Sequence, residues 1–158
     1  MEDSSTADFD RIDLKILRAL QAEGRLTNAE LAARVNVSPA TCHRRTQRLF
    51  DEGYITAVRA QIAPAAVGLG ALVMVGVVLD RSTPESFAAF EKAVVVMKDV
   101  LDCNLVAGDF DYLLKIRVRD MMDFNKLHGQ KLIALPGVRQ TRTFFVMKEV
   151  KENAHLPF

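Results

Sequence analysis

Apolar residues in the first third of the chain recur at helical spacing. Ile12, Ile16, Leu17 and Leu20 share one face of a helix that begins near Phe9 and stops at Gly24. Thr27 with Glu30 has the form of a capping box, and Leu31, Ala32 and Val35 supply the apolar face of a short second helix. Asn36, a residue that tolerates a left-handed turn, follows. Ser38 as N-cap and Pro39 at the first helical position then open a third helix, which runs to about Glu52 and stops at Gly53. Three short helices with a tight second turn make a helix-turn-helix layout. Ile55 to Ile62 alternate weakly and predict a strand.

The rhythm then changes. Ala63–Gly70 is a small-residue stretch with Pro and Gly that marks a boundary. Leu72–Leu79 predicts a buried strand, and Thr83-Pro84-Glu85 opens a helix with Phe87, Phe90 and Val94 on one face. Strands follow at Val100–Ala107 and Tyr112–Val118, separated by the turn Gly108-Asp109-Phe110-Asp111. Asp120 caps a helix to about Leu135, and Val138–Val150 predicts a long last strand. The order β-α-β-β-α-β is ferredoxin-like and makes the fold class α+β. Such a sheet has one open face, and an open apolar face must be covered, most economically by dimerisation. The chain divides into a disordered tail (1–8), a helix-turn-helix domain (9–54), a strand and linker (55–70), a ferredoxin-like domain (71–152) and a C-terminal tail (153–158).

Composition narrows the partners. The 158 residues are 49% hydrophobic and 26% charged, enough to bury a core in one ordinary domain or two small ones. The net charge of +1 singles out no partner, so a nucleic-acid surface must come from local clustering. Two cysteines, Cys42 and Cys103, are too few for a disulfide framework and suit a reducing compartment. The acidic, polar start MEDSSTADFD is no signal peptide, and the apolar run Leu69–Leu79 is too short to span a bilayer. A cytoplasmic protein without a membrane partner is expected.

The third helix, SPATCHRRTQRL, carries the clearest local cluster. On a wheel of roughly 100° per residue, Cys42, Thr46 and Leu49 fall together, with Phe50 beside them. Opposite lie Ala40, Thr41, Arg44 and Arg48, with Arg45 and Gln47 on the flanks. Arginine pairs bidentately with guanine or phosphate, and small N-terminal residues let a helix approach the groove. The helix start at Ser38 favours a phosphate. A solvated basic face is the plain alternative; the position within a helix-turn-helix points to double-stranded DNA, with Ser38, Ala40, Thr41, Arg44, Arg45, Gln47 and Arg48 as candidate contacts. Cys42 and His43 are helix neighbours pointing about 100° apart, so they form neither a metal site nor a nucleophile–base pair.

Asn104-Leu105-Val106-Ala107-Gly108-Asp109-Phe110-Asp111-Tyr112 is the second notable stretch. Its acids suit three roles: a metal or catalytic carboxylate pair at Asp109 and Asp111, a tight hairpin, or capture of a small amino acid by turn amides and a carboxylate. Spacing does not separate these. No further acid–base constellation accompanies the carboxylates, so no enzyme activity, cofactor or metal is expected.

Three motifs in order resemble the Lrp/AsnC family of transcription regulators, the leucine-responsive branch especially. Phe9–Ile55 matches LDxxDxxILxxLQxxGRxTNxELAxRVxxSPxxCxxRxxRLxxxGxI, with Phe9 where Leu is common. LVAGDFDYLLKIRVRDM and LPGVRQTRTFFVMKEVK are similar to segments of the effector domain. Asn36 stands where glycine is common and Thr46 where an aliphatic residue is common. The resemblance implies a winged helix-turn-helix joined by a strand to a ferredoxin-like effector domain. It further implies homodimers, often octamers, acting at the nucleoid, with an amino acid bound between dimers. By carry-over, Asn104 and Gly108, Asp109, Phe110, Asp111 and Tyr112 line the pocket, and Thr141 and Thr143 face it from a neighbouring subunit. A ligand-independent, DNA-packaging protein of the same architecture is the alternative.

Overall fold

A computed structural model describes residues 9–158, so the tail expected at 1–8 lies outside the described residues. The chain forms two compact units, Ile62–Val150 and a second made from the residues before Ile62 together with Lys151–Phe158.

The first unit holds α1 (Arg11–Ala22), α2 (Asn28–Val35) and α3 (Pro39–Asp51). Each begins at a side chain that satisfies amides the helix leaves open. Asp10 accepts from the amides of Ile12 at 2.8 Å and Asp13 at 2.9 Å. Thr27 and Glu30 close a reciprocal capping box, and Ser38 accepts from the Thr41 amide at 3.2 Å. Asn36 ends α2 in the left-handed region at φ 61°, and Asn28 Nδ2 donates to the Pro39 carbonyl at 2.8 Å, which ties the two helices across their turn. Ile16, Leu31, Val35, Cys42 and Leu49 form the core. Burying each larger aliphatic side chain contributes about 1.5–3 kcal/mol. Phe50, expected beside the inner face, is 38% exposed.

The strand expected over Ile55–Ile62 does not form within the chain: residues 56–63 make no ladder, and Pro64–Val67 is a short 3₁₀ turn. A strand exists only as a member of a sheet, and this segment finds no partner strand among the described residues of its own chain. The last eight residues instead return to α1. Gln21 donates to the Leu156 carbonyl and accepts from the Leu156 amide, both at 3.0 Å, and Arg18 Nε donates to the Phe158 carbonyl at 2.6 Å.

In the second unit, β1 (Ala71–Leu79), α4 (Pro84–Val94), β2 (Val100–Leu105), β3 (Tyr112–Val118), α5 (Met121–Leu127) and β4 (Val138–Phe145) follow in order. The strands form one antiparallel sheet in the order β2-β3-β1-β4, as the βαββαβ reading requires. Val73, Val75, Val77 and Leu79 of β1 and Tyr112, Leu114, Ile116 and Val118 of β3 pack against Phe90, Val94, Phe124 and Leu127 from the helices.

Two elements differ from expectation. The helix expected to reach Leu135 turns π-helical at His128–Leu132. The wider turn puts Leu132 five residues after Leu127, so both are buried, where a regular helix would present Gln130 or Lys131. The last strand ends at Phe145 rather than Val150, because β1, its only ladder partner among the described residues, starts at Ala71.

Candidate functional site

The helical wheel puts Arg44 and Arg48 on the outer face of α3 and Arg45 on its flank, and the structure divides the three. Asp13 on α1 is 1% exposed. Its Oδ1 accepts from Arg45 at 3.0 Å and its Oδ2 from Arg48 at 2.6 Å, while Arg45 also reaches Asp10 at 2.6 Å. Arg48 therefore does not stand clear on the outer face. Its guanidinium turns to α1, since a wheel separates faces but does not show what a long side chain reaches from the edge of one. Hydrogen bonding to Asp10 and Asp13 holds Arg45 above its usual range, and the Asp13 amide, followed by Arg45, holds the Asp10 carboxyl below its own.

Ser38, Ala40, Arg44 and Gln47 are exposed and Thr41 is half-buried. Thr41 accepts from the Ser38 hydroxyl at 2.9 Å, and Gln47 donates to Asp51 at 2.8 Å. Arg44 enters none of the ion pairs among the described residues. Cys42 is fully buried and contacts Thr46 rather than His43.

In the second unit, the turn Gly108–Asp111 closes the β2–β3 hairpin. Asp111 is committed to the fold: its carboxylate accepts from the Leu79 amide at 2.7 Å, its amide donates to Val77 at 2.9 Å, and its carbonyl accepts from Val106 at 2.9 Å. Asp109 and Asn104 are exposed. The Phe110 ring lies over Gly76 of β1, where an added Cβ would stand 2.6 Å from the ring, and it meets Phe144 edge-on at 6.1 Å. No group of three metal-ligating side chains occurs among the described residues.

Tyr112, expected to line a pocket, belongs to the core instead. It is 1% exposed, stacks on Phe90 at 4.5 Å and donates to Glu91 at 2.6 Å. Burial and the Glu91 carboxylate push its phenol well above the usual value. Strand alternation turns Tyr112 inward with Leu114, Ile116 and Val118, whereas Phe110 lies in the turn before β3 and packs over Gly76. Thr141 bonds His128 Nε2 at 2.8 Å, and Thr143 lines a cavity of about 560 Å³ with Met121, Met122, Phe124 and Phe145. Sequence reasoning missed this cavity and Asp13; an isolated acid in the first helix carries no signal of its partners.

Residues 9–56 match the family model for a winged helix-turn-helix DNA-binding domain, and residues 72–156 match the Lrp/AsnC ligand-binding domain. The chain belongs to the Lrp/AsnC family. It is similar to the leucine-responsive regulatory proteins of Klebsiella pneumoniae and Escherichia coli K12, each 46% identical over 149 residues, which cover 94% of this chain and 91% of the relative. Among solved structures it is similar to a Neisseria meningitidis transcriptional regulator in complex with L-Met (TM-score 0.88, 36% identity, 94% of this chain and 96% of that one). An AsnC-family regulator of Agrobacterium tumefaciens is equally close in shape (TM-score 0.88, 31% identity, 94% and 97%). This Lrp/AsnC member thus joins a DNA-binding module to an effector-binding domain, and its relatives are transcription regulators rather than enzymes. Among its described residues, no helix is long and apolar enough to cross a membrane.

Proposed function

We propose that this protein is a sequence-specific transcription regulator whose assembly or DNA affinity responds to a small amino acid. The observation that carries the reading is the pairing, in one chain, of a helix-turn-helix with an exposed leading face on α3 and a matching Lrp/AsnC ligand-binding domain. The names of its relatives support an amino acid: one group is leucine-responsive, and another relative holds L-Met. The helix α3 enters the major groove with Ala40, Thr41, Arg44 and Gln47 near the bases and its Ser38 end near a phosphate. The effector lies at the Asn104 and Gly108–Asp111 edge, where turn amides and Asp109 take its two charged groups, with Thr141 and Thr143 supplied by a neighbouring copy.

The working form is a homodimer that assembles further, to an octamer. The exposed Phe144 on the open sheet face and the unpaired 56–63 segment are both suited to a second copy. Two-fold symmetry then calls for two half-sites one helical turn, or a multiple of it, apart.

A thermal-shift screen of the twenty amino acids, run beside DNA binding, tests the reading. One or a few should raise the melting temperature, as mass action requires of any ligand that binds only the folded state. A flat response with DNA binding intact would favour the ligand-independent, DNA-packaging alternative.

A further inference from the structure

The sequence shows three arginines on α3, and the fold cancels two of them. Arg45 and Arg48 face Asp10 and Asp13, two positive charges against two negative ones within 3.0 Å. The cluster is specific in its geometry. Each oxygen of the buried Asp13 carboxylate takes one arginine, and its Oδ2 also accepts from the Asp10 amide at 3.4 Å; the Asp13 side chain is 2% exposed, that of Arg45 23% and that of Arg48 39%. Arg45 is held entirely through its terminal nitrogen, since its Nε is buried without a partner. Asp10 is itself fixed as the N-cap of α1. Of the other charged groups at this end of α3, Asp51 is occupied by Gln47, and Arg44 is exposed.

We propose that Asp13 sets how strongly and how selectively this protein grips DNA, by holding Arg45 and Arg48 away from the phosphates. The inference rests on the DNA-binding reading of α3 and goes beyond it. Phosphate contacts add affinity without sequence information, and each contributes about 0.9 to the slope of log K against log salt. An arginine kept on an internal carboxylate adds nothing to that slope. Discrimination is then left to the exposed residues of α3, and Asp13 acts as a positioning residue, since it touches no DNA itself.

An asparagine at this position keeps the shape but replaces one acceptor oxygen with an NH₂ group that faces a guanidinium. It must release at least one arginine. The test uses the full-length protein, a random duplex, and a duplex of the same length selected by the wild-type protein from a random pool. Asp13→Asn should steepen the salt slope on the random duplex by about one to two. It should also lower the preference for the selected duplex at least tenfold. Arg48→Gln should leave the slope at its wild-type value, whereas Arg44→Gln should lower the preference for the selected duplex.

A flattened slope in Arg48→Gln would overturn the proposal, because Arg48 would then be a phosphate contact. So would an Asp13→Asn protein of native circular dichroism with slope and preference both unchanged. If Asp13→Asn does not fold, the Arg48→Gln slope decides alone. Wild-type protein that retains no duplex at any salt would instead sink the DNA reading, and this inference with it, before any variant is compared.

Discussion

Gly76 is the residue on which the candidate effector turn rests. Its missing Cβ is the space that Phe110 fills, with three ring atoms 2.6–2.7 Å from where a Cβ would stand. Gly76→Ala should therefore displace the ring and destabilise the second unit by about 1–3 kcal/mol. Adding Phe110→Leu should recover part of the loss, and a double-mutant cycle by denaturant melts reads the coupling; additive effects would mean the two do not meet. How far single residues were legible depended on the distance to their partners. Ser38, Thr27 and Glu30 act within their own turn and could be read directly. Cys42 followed from helix periodicity. The partners of Arg45 and Arg48 lie 32–35 residues away in sequence at Asp10 and Asp13, and no local pattern reports such a pair. Tyr112 turns into the core, because a motif names positions, whereas the alternation of a strand decides which of them face inward.

Helix starts make the clearest prediction at the level of elements. Asp10, Glu30 and Asp123 each bond amides at the start of a helix or the arginine beside it. Their carboxyls lie below the ordinary value through, respectively, the Asp13 amide, the Thr27 amide and the Arg119 side chain first. A carboxyl whose folded value is depressed stabilises the fold above its unfolded value and loses that contribution as pH falls through the folded one. The melting temperature should stay level from about pH 7 to 5 and drop below about pH 4. A melt unchanged down to about pH 2.5 would show that these caps carry no stability. The same caps explain why the helices could be read from sequence: a start signal and a periodic face agree. The strand expected over 55–62 failed for the opposite reason, since alternation can propose a strand but only a neighbour makes one. The π-turn at His128–Leu132 was hidden because it shifts the phase of a helix without changing which residues are apolar.

For the whole molecule, the proposed dimer predicts that wild-type protein runs at an even multiple of the monomer mass in light scattering. Phe144 sits on the open sheet face, 49% exposed, and Phe144→Asp should shift the population towards monomer; a monomeric wild type would sink the proposal. A last consequence comes from the segment that returns to α1. The second unit is an insertion inside the first, and the Arg18–Phe158 bond joins positions 140 residues apart. Loop closure over such a span costs only slightly more entropy than over a short one, but it slows folding. During synthesis the three helices can fold early, whereas this closing contact must wait until residue 158 has been made. The DNA-binding unit is thus the first to start folding and the last to be finished.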